Sequence, residues 1–319
     1  MGQYIRNRCL QAIFVLLGVT FVVYLILHLR GDPTDLLLPA TASAEQEAIF
    51  RAKWGLDQPF LVQYWHFLKN AVVGDFGTSM YYNQPALELV LERMPATLEL
   101  AVISTIFAVV IAVPLGILAA LKKNTIIDFI ARIIAMLGQA VPTFWFGIMM
   151  IIVFSLKAHW LPTSGRGEIK NLVMPVIAAG LFAMASITRI SRNSMLEVLN
   201  EDYIRTAKAK GVSRGSVVFL HGLKNAILPV ITMIGMEFGS LLGGAVVIET
   251  VFAWPGVGLL AVNGIYNRDY PIVLAAVTMT ALIFIIVNLG IDILYCFIDP
   301  RIKVSTLGGN KKWKRGGRT

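Results

Sequence analysis

Apolar residues fall along this chain in six long runs separated by polar stretches. The runs are Cys9–Leu29, Thr97–Leu121, Ile133–Leu156, Asn171–Thr188, Asn225–Ile248 and Pro271–Ile298. Each is long enough to cross a bilayer, which takes about 20 mostly apolar residues. Pro114, Pro142 and Pro175 interrupt three of them, and the fifth is rich in glycine. Both residue types are commoner in membrane helices than in soluble ones. Arg6 and Arg8 before the first run give it the outline of a signal peptide. The run is too long for that, and the nearest small-x-small triplet, Ala42-Ser43-Ala44, lies far beyond its apolar core, so the pattern predicts an uncleaved first helix.

Two polar stretches are longer than a connection requires. The segment 30–95 carries turn signals at Gly31-Asp32-Pro33 and Gly74-Asp75-Phe76-Gly77-Thr78-Ser79, and an aromatic run Tyr64-Trp65-His66-Phe67 that suits a short helix at the membrane interface. It reads either as a folded cap or as a docking surface for a soluble carrier. The second stretch, 189–224, has its own helical period: Met195, Leu196, Val198, Leu199, Tyr203, Ile204 and Ala207 form one apolar stripe. Glu201 and Arg205 stand at i, i+4 in the favourable order. Gly211 can supply the left-handed residue that ends a helix, and Ser213 can cap a second short one ending near Gly222. The expected product is a helix–turn–helix whose small residues Ala207, Ala209 and Gly211 admit another surface close to the backbone.

Composition agrees with a membrane protein. Hydrophobic residues make up 56% of the 319 and charged residues 15%, against about 25% in a soluble domain. The net charge of +9 is a matter of topology. With the N-terminus inside, 19 of the 28 Lys and Arg residues fall in the inner stretches, crowded at 189–224 and in the tail 301–319. The positive-inside rule then puts both termini and the 189–224 loop in the cytoplasm and 30–95 outside. No aromatic-interleaved basic face supports nucleic-acid binding. The two cysteines, Cys9 and Cys296, match no metal or redox spacing.

Candidate chemistry is sparse. There is no phosphate-binding Gly-x-x-x-x-Gly-Lys-Ser/Thr, no Gly-x-Ser-x-Gly elbow, and the four histidines do not pair at metal-ligand spacing. The reading is a non-enzyme without a cofactor or metal. Glu237 falls about 17 Å along the fifth span, near mid-bilayer, where a carboxylate normally faces a cavity or a partner. Pathway lining and structural pairing are both open for it. Gly235, Gly239, Gly243 and Gly244 around it would let a second helix pack closely. Asp292 is placed nearer the inner end, and Glu99 close to outer water.

The loop also resembles a known motif. Arg205-Thr206-Ala207-Lys208-Ala209-Lys210-Gly211, then His221 and Asn225-Ala226-Ile227-Leu228-Pro229, resembles the ATPase-docking loop of permeases in binding-protein-dependent ABC importers, in its dipeptide/oligopeptide/nickel variant. The generic Glu-Ala-Ala opening is replaced by Arg205 and Thr206. Pro142-Thr143-Phe144-Trp145, Trp160 to Gly165, Glu249 to Gly258, Asn267 to Pro271 and Asp299-Pro300-Arg301 are similar to family pieces in the same order. The resemblance implies an all-α, six-span type I ABC importer permease fold: a first helix and tail (1–29), an extracytoplasmic segment (30–95), a five-helix core (96–300) with the docking loop, and the basic tail (301–319). It implies a bacterial or archaeal cytoplasmic membrane and several partners: a second homologous permease, two cytoplasmic ATPase subunits and an extracytoplasmic substrate-binding protein. The docking residues would be Arg205, Thr206, Ala207, Ala209, Gly211 and His221, with Glu237, Gly239 and Gly243 as pathway candidates. Cargo would be peptides or related solutes such as glutathione, nickel chelates or opines. The rival on composition alone is an ion-coupled secondary transporter, although no inverted repeat is visible.

Overall fold

Helices, the turns between them and an isolated β-bridge of Thr78 with Pro85 make up the described residues, which are 2–29, 31, 34, 38 and 41–298 in this computed structural model. The order is α1 (Gly2–Leu29), α2 (Ala44–Trp54), α3 (Phe60–Val72), α4 (Ala86–Leu121), α5 (Ile126–Ala140), α6 (Thr143–Met150), α7 (Ile169–Leu199), α8 (Asp202–Ala209), α9 (Leu223–Val251), α10 (Val257–Tyr266) and α11 (Tyr270–Ile298). Wide π-type turns extend α6 over Ile151–Lys157 and lead into α9 over Val217–Gly222. The tail 301–319, the Asp299-Pro300-Arg301 piece and the side chains of Cys9, Asp292 and Cys296 lie outside the described residues.

Five helices are long and apolar enough to cross a membrane, and a sixth span exists if α5 and α6 are taken together. That pair differs from the straight third span expected over Ile133–Leu156, because it bends by 102°. Pro142 has no N–H to continue the ladder, and it forces Val141 into extended backbone (φ −85°, ψ 124°). The second span also starts earlier than its apolar run. It is 36 residues long, begins at Ala86 and carries Pro95 and Pro114 inside it. At 1.5 Å per residue that is about 54 Å, so α4 projects well beyond a hydrocarbon core of about 30 Å.

Small residues decide how the spans meet. A Cβ on Gly116 of α4 would strike Ser191 and the Thr188 carbonyl of α7, and one on Gly180 of α7 would strike Phe107 of α4. Ala108 and Ala112 are fully buried at that seam with Ala183 and Ile187. Lipid-facing helices gain little from hydrophobic burial alone, so close backbone approach of this kind is the main source of packing energy. Helix α1 stands at the edge, pinned to α11 where the Tyr270 hydroxyl donates to the carbonyls of Leu27 (2.9 Å) and Gly31 (2.6 Å).

The aromatic run forms part of α3, as its pattern predicts. Two of its rings serve to join elements: Tyr64 and Phe67 meet Tyr24 of α1 at centroid distances of 5.5 and 6.0 Å. Trp65 points away and stays exposed. The loop before α4 is tied to the start of α11 by Asp269, which is fully buried and accepts from Ser79 Oγ (2.5 Å) and the Tyr81 N–H (3.1 Å).

Candidate functional site

The loop expected to be a helix–turn–helix is built differently. Helix α7 runs without interruption to Leu199, so Met195 to Leu199 belong to the end of a span. Asn200 and Glu201 break the helix, and Tyr203, Ile204 and Ala207 sit on the separate α8. The single stripe is therefore two faces. Glu201 adopts extended backbone as the N-cap of α8, and Arg205 reaches Asp202 (3.4 Å) at i, i+3 instead of Glu201. That pair is exposed and contributes little.

Gly211 has φ +75° and follows the last residues of α8, as its position predicts. The Gly211 N–H donates to Lys208 O (3.0 Å) and the Val212 N–H to Ala207 O (3.2 Å). Ser213 Oγ then accepts from the Ser216 N–H (3.3 Å). The second helix does not stop near Gly222 but passes through the wide turn into α9. The loop is thus one rigid lead into the fifth span. It is braced from beneath by Met195, Val218, Ala226 and Ala120, all buried, and by Asn225 Nδ2 donating to the Tyr203 hydroxyl (2.9 Å).

Arg205, Thr206, Ala209 and Gly211 remain exposed, with Ala207 and His221 half-buried. Beside them lie Phe219 and Leu220, 67% and 66% exposed. Sequence reasoning did not single out this pair, because it weighed the small residues of the first helix and the polar motif residues as the contact surface. The available signal is two consecutive large apolar side chains at the very start of the apolar stretch Val217–Val251, just after the basic segment Lys208–Arg214.

Glu237 is buried in α9, close to Ser186 of α7. Gln139 Nε2 donates to the same Ser186 hydroxyl (3.2 Å), and an Arg189 guanidinium N–H donates to Gln139 Oε1 (3.1 Å). A cavity of about 130 Å³ opens beside Glu237, lined also by Leu100, Thr143, Phe182 and Ser240. The glycines do not surround this carboxylate as one seam. Gly235 and Gly239 accommodate Ile291 and Phe284 of this chain's own α11, whereas a Cβ on Gly243 would meet nothing within 4 Å.

Three acidic groups escaped emphasis or were misplaced. Asp128 is fully buried at the start of α5 and clamped by Arg192 of α7 at 2.5 and 3.0 Å. Glu249 is fully buried at the end of α9. It accepts from Thr97 Oγ1 (2.6 Å) and the Leu259 N–H (2.9 Å), so a carboxylate from one helix caps the N-terminus of the next. Gly256 and Gly258 leave room for it, and Trp254 closes the turn by donating to Ala96 O (2.8 Å). Glu99, expected to meet only water, pairs with Arg166 (2.6 Å). No group of three or more His, Cys, Asp or Glu residues able to hold a metal occurs among the described residues.

Two family models cover nearly the whole chain. Residues 112–304 match the binding-protein-dependent transport system inner membrane component, and residues 1–101 match the N-terminal region of such membrane components. The chain is 40% identical to the dipeptide transport system permease protein DppB of Alkalihalophilus pseudofirmus, over 95% of this chain and 100% of that one. It is 41% identical to the oligopeptide transport system permease protein AppB of Bacillus subtilis (95% and 100%). It is 42% identical to the glutathione transport system permease protein GsiC of Escherichia coli K12 (95% and 99%). Among solved structures, an inward-facing MetNI methionine ABC transporter chain matches with TM-score 0.56 at 17% identity, covering 66% of this chain and 96% of that one. At that identity the likeness concerns the fold.

Proposed function

The chain belongs to the family of binding-protein-dependent transport system inner membrane components, the permease subunits of ABC importers, and we propose that it forms half of the translocation pathway for peptides or chemically similar solutes. One observation carries the cargo class: three relatives named for dipeptide, oligopeptide and glutathione transport each align with 95% of this chain at 40% identity or more. Cargo selection within that class belongs to a separate extracytoplasmic binding protein.

In this reading the chain pairs with a second homologous permease and with two cytoplasmic ATPase subunits that carry out all ATP hydrolysis. The ATPase seats on Arg205 to Gly211 and His221, with Phe219 and Leu220 as its apolar anchor. Large exposed apolar side chains rimmed by charge are the usual chemistry of a protein contact. Because this surface runs rigidly into α9, a push on it moves the helix that carries Glu237, Gly239 and Gly243. Both termini and 189–224 face the cytoplasm, and 30–95 forms the outer cap. The density of Lys and Arg in the former supports this orientation.

The test is reconstitution of the permease pair, ATPases and binding protein in proteoliposomes. ATP-dependent uptake of a labelled di- or tripeptide is expected, with none from this chain alone. Uptake driven by an ion gradient without the ATPases would refute the reading in favour of a secondary transporter.

A further inference from the structure

A second cavity, about 510 Å³, lies between α5 and α7 and is lined by Arg132, Gln139, Ala140, Arg189, Arg192 and Asn193. Its volume falls within the roughly 300–1,000 Å³ usual for small-ligand sites. Three guanidinium groups face it, and Asp128 meets only part of that charge. Asp128 is held by Arg192 at 2.5 and 3.0 Å and stands 3.6 Å from Arg132. Arg189 instead donates to the neutral Gln139. It is exposed where α7 leaves its apolar run at Thr188, so the cavity opens at the cytoplasmic end of that span.

The cavity is also connected. Arg189, Gln139 and Ser186 form one hydrogen-bonded series that ends close to Glu237, so a basic cavity and an acidic cavity stand at the two ends of a short polar track. We propose that the α5–α7 cavity is an anion subsite on the inner half of the pathway, and that Arg189 there receives the carboxylate of a zwitterionic cargo while Glu237 faces its ammonium end. The inference rests on the peptide-importer reading. An acidic phospholipid headgroup would satisfy the arginines but has no use for the carboxylate at the far end of the track, which is why cargo is the assigned occupant.

Two measurements on the intact complex in nanodiscs test it. In a background with Cys9 and Cys296 replaced by serine, Ala140→Cys is labelled with anionic and cationic methanethiosulfonates, each corrected for its rate with a free thiol. The anionic reagent is expected to react about tenfold faster, Arg189→Gln to abolish the preference and Arg189→Lys to keep it. A ratio near one, or a ratio indifferent to Arg189→Gln, overturns the subsite. The second measurement compares uptake of a dipeptide with uptake of its C-terminal amide. The wild type should favour the free carboxylate by about tenfold, and Arg189→Gln should erase that preference while still carrying the amide. Equal loss of both peptides in Arg189→Gln makes Arg189 a structural residue and overturns the proposal. So does a labelling ratio that tracks the phosphatidylglycerol content of the nanodisc with no carboxylate preference in transport, which assigns the site to lipid. If the wild type carries neither peptide, the peptide reading falls, and the labelling ratio still decides the anion site.

Discussion

Gly211 offers the cleanest separation of docking from folding. Its φ of +75° is a left-handed value, and a Cβ added there would meet no atom within 4 Å. Substitution therefore costs backbone strain and nothing from overpacking. For an ordinary L-residue the left-handed region costs roughly 1–2 kcal/mol, with β-branched residues at the upper end and asparagine well below it. Gly211 ends a short exposed element at the tip of a loop, so relief of the strain deforms that tip and leaves the buried seam of α4 and α7 untouched. Gly211→Val should weaken association with the ATPase subunits about 5- to 30-fold, the factor that 1–2 kcal/mol produces. Gly211→Asn should stay within about threefold of wild type, given the tolerance of asparagine for this conformation. The assay is titration of purified ATPase onto nanodisc-held permease pairs, read by a tag-based binding signal, with thermal melting of the permease as control. If Val and Asn bind alike, conformation at Gly211 does not set the docking surface. If Val lowers the melting temperature as much as a core substitution does, the loop is not the independent surface described above.

The remaining predictions concern orientation, two buried carboxylates and the pathway. In a cysteine-free background, Ser43→Cys should react with an impermeant thiol reagent from outside intact cells and Ser213→Cys only after permeabilisation; the reverse pattern would overturn the topology. Asp128→Asn leaves Arg192 without its buried partner, a change worth about 3–5 kcal/mol, and should lower the melting temperature by more than the double change Asp128→Asn with Arg192→Gln does. Equal melting of all three proteins would show that the clamp contributes nothing. Glu249→Ala removes the acceptor of Thr97 and of the Leu259 N–H and should cost about 1–3 kcal/mol, seen as faster proteolysis of the 252–257 turn. Glu237→Gln should preserve assembly and lower uptake of peptides with a free amino terminus more than that of their N-acetylated forms; equal kinetics for both would make Glu237 a packing residue.

What the sequence made legible and what it concealed divide along a physical line. Runs of about 20 apolar residues report a property that the bilayer tests residue by residue, so five spans could be read directly, and Gly211 and Ser213 could be read because turns and caps are local. Where a helix stops is a different question, since apolar character ends before the helix does. Helix α4 begins at Ala86 and α7 continues to Leu199, both beyond their apolar runs, because buried side chains such as Val90 and Met195 keep each helix wound against its neighbours. The same cause hid the polar anchors. Asp128 stands near Lys122, Lys123 and Arg132 in the sequence, and only the fold brings Arg192, 64 positions away, to within 2.5 Å of it. Glu249 belonged to a recognisable string, but its meaning lies with Thr97, 152 positions away. The bend after Ala140 could have been anticipated, since Val141-Pro142 states the backbone conflict within two residues; the apolar run on both sides masked it. A carboxylate in a membrane chain therefore carries more information than its own neighbourhood in the sequence reveals. In each of these cases the partner is a residue on another span, and that pairing is what fixes the register of the helices around Glu237 and Arg189.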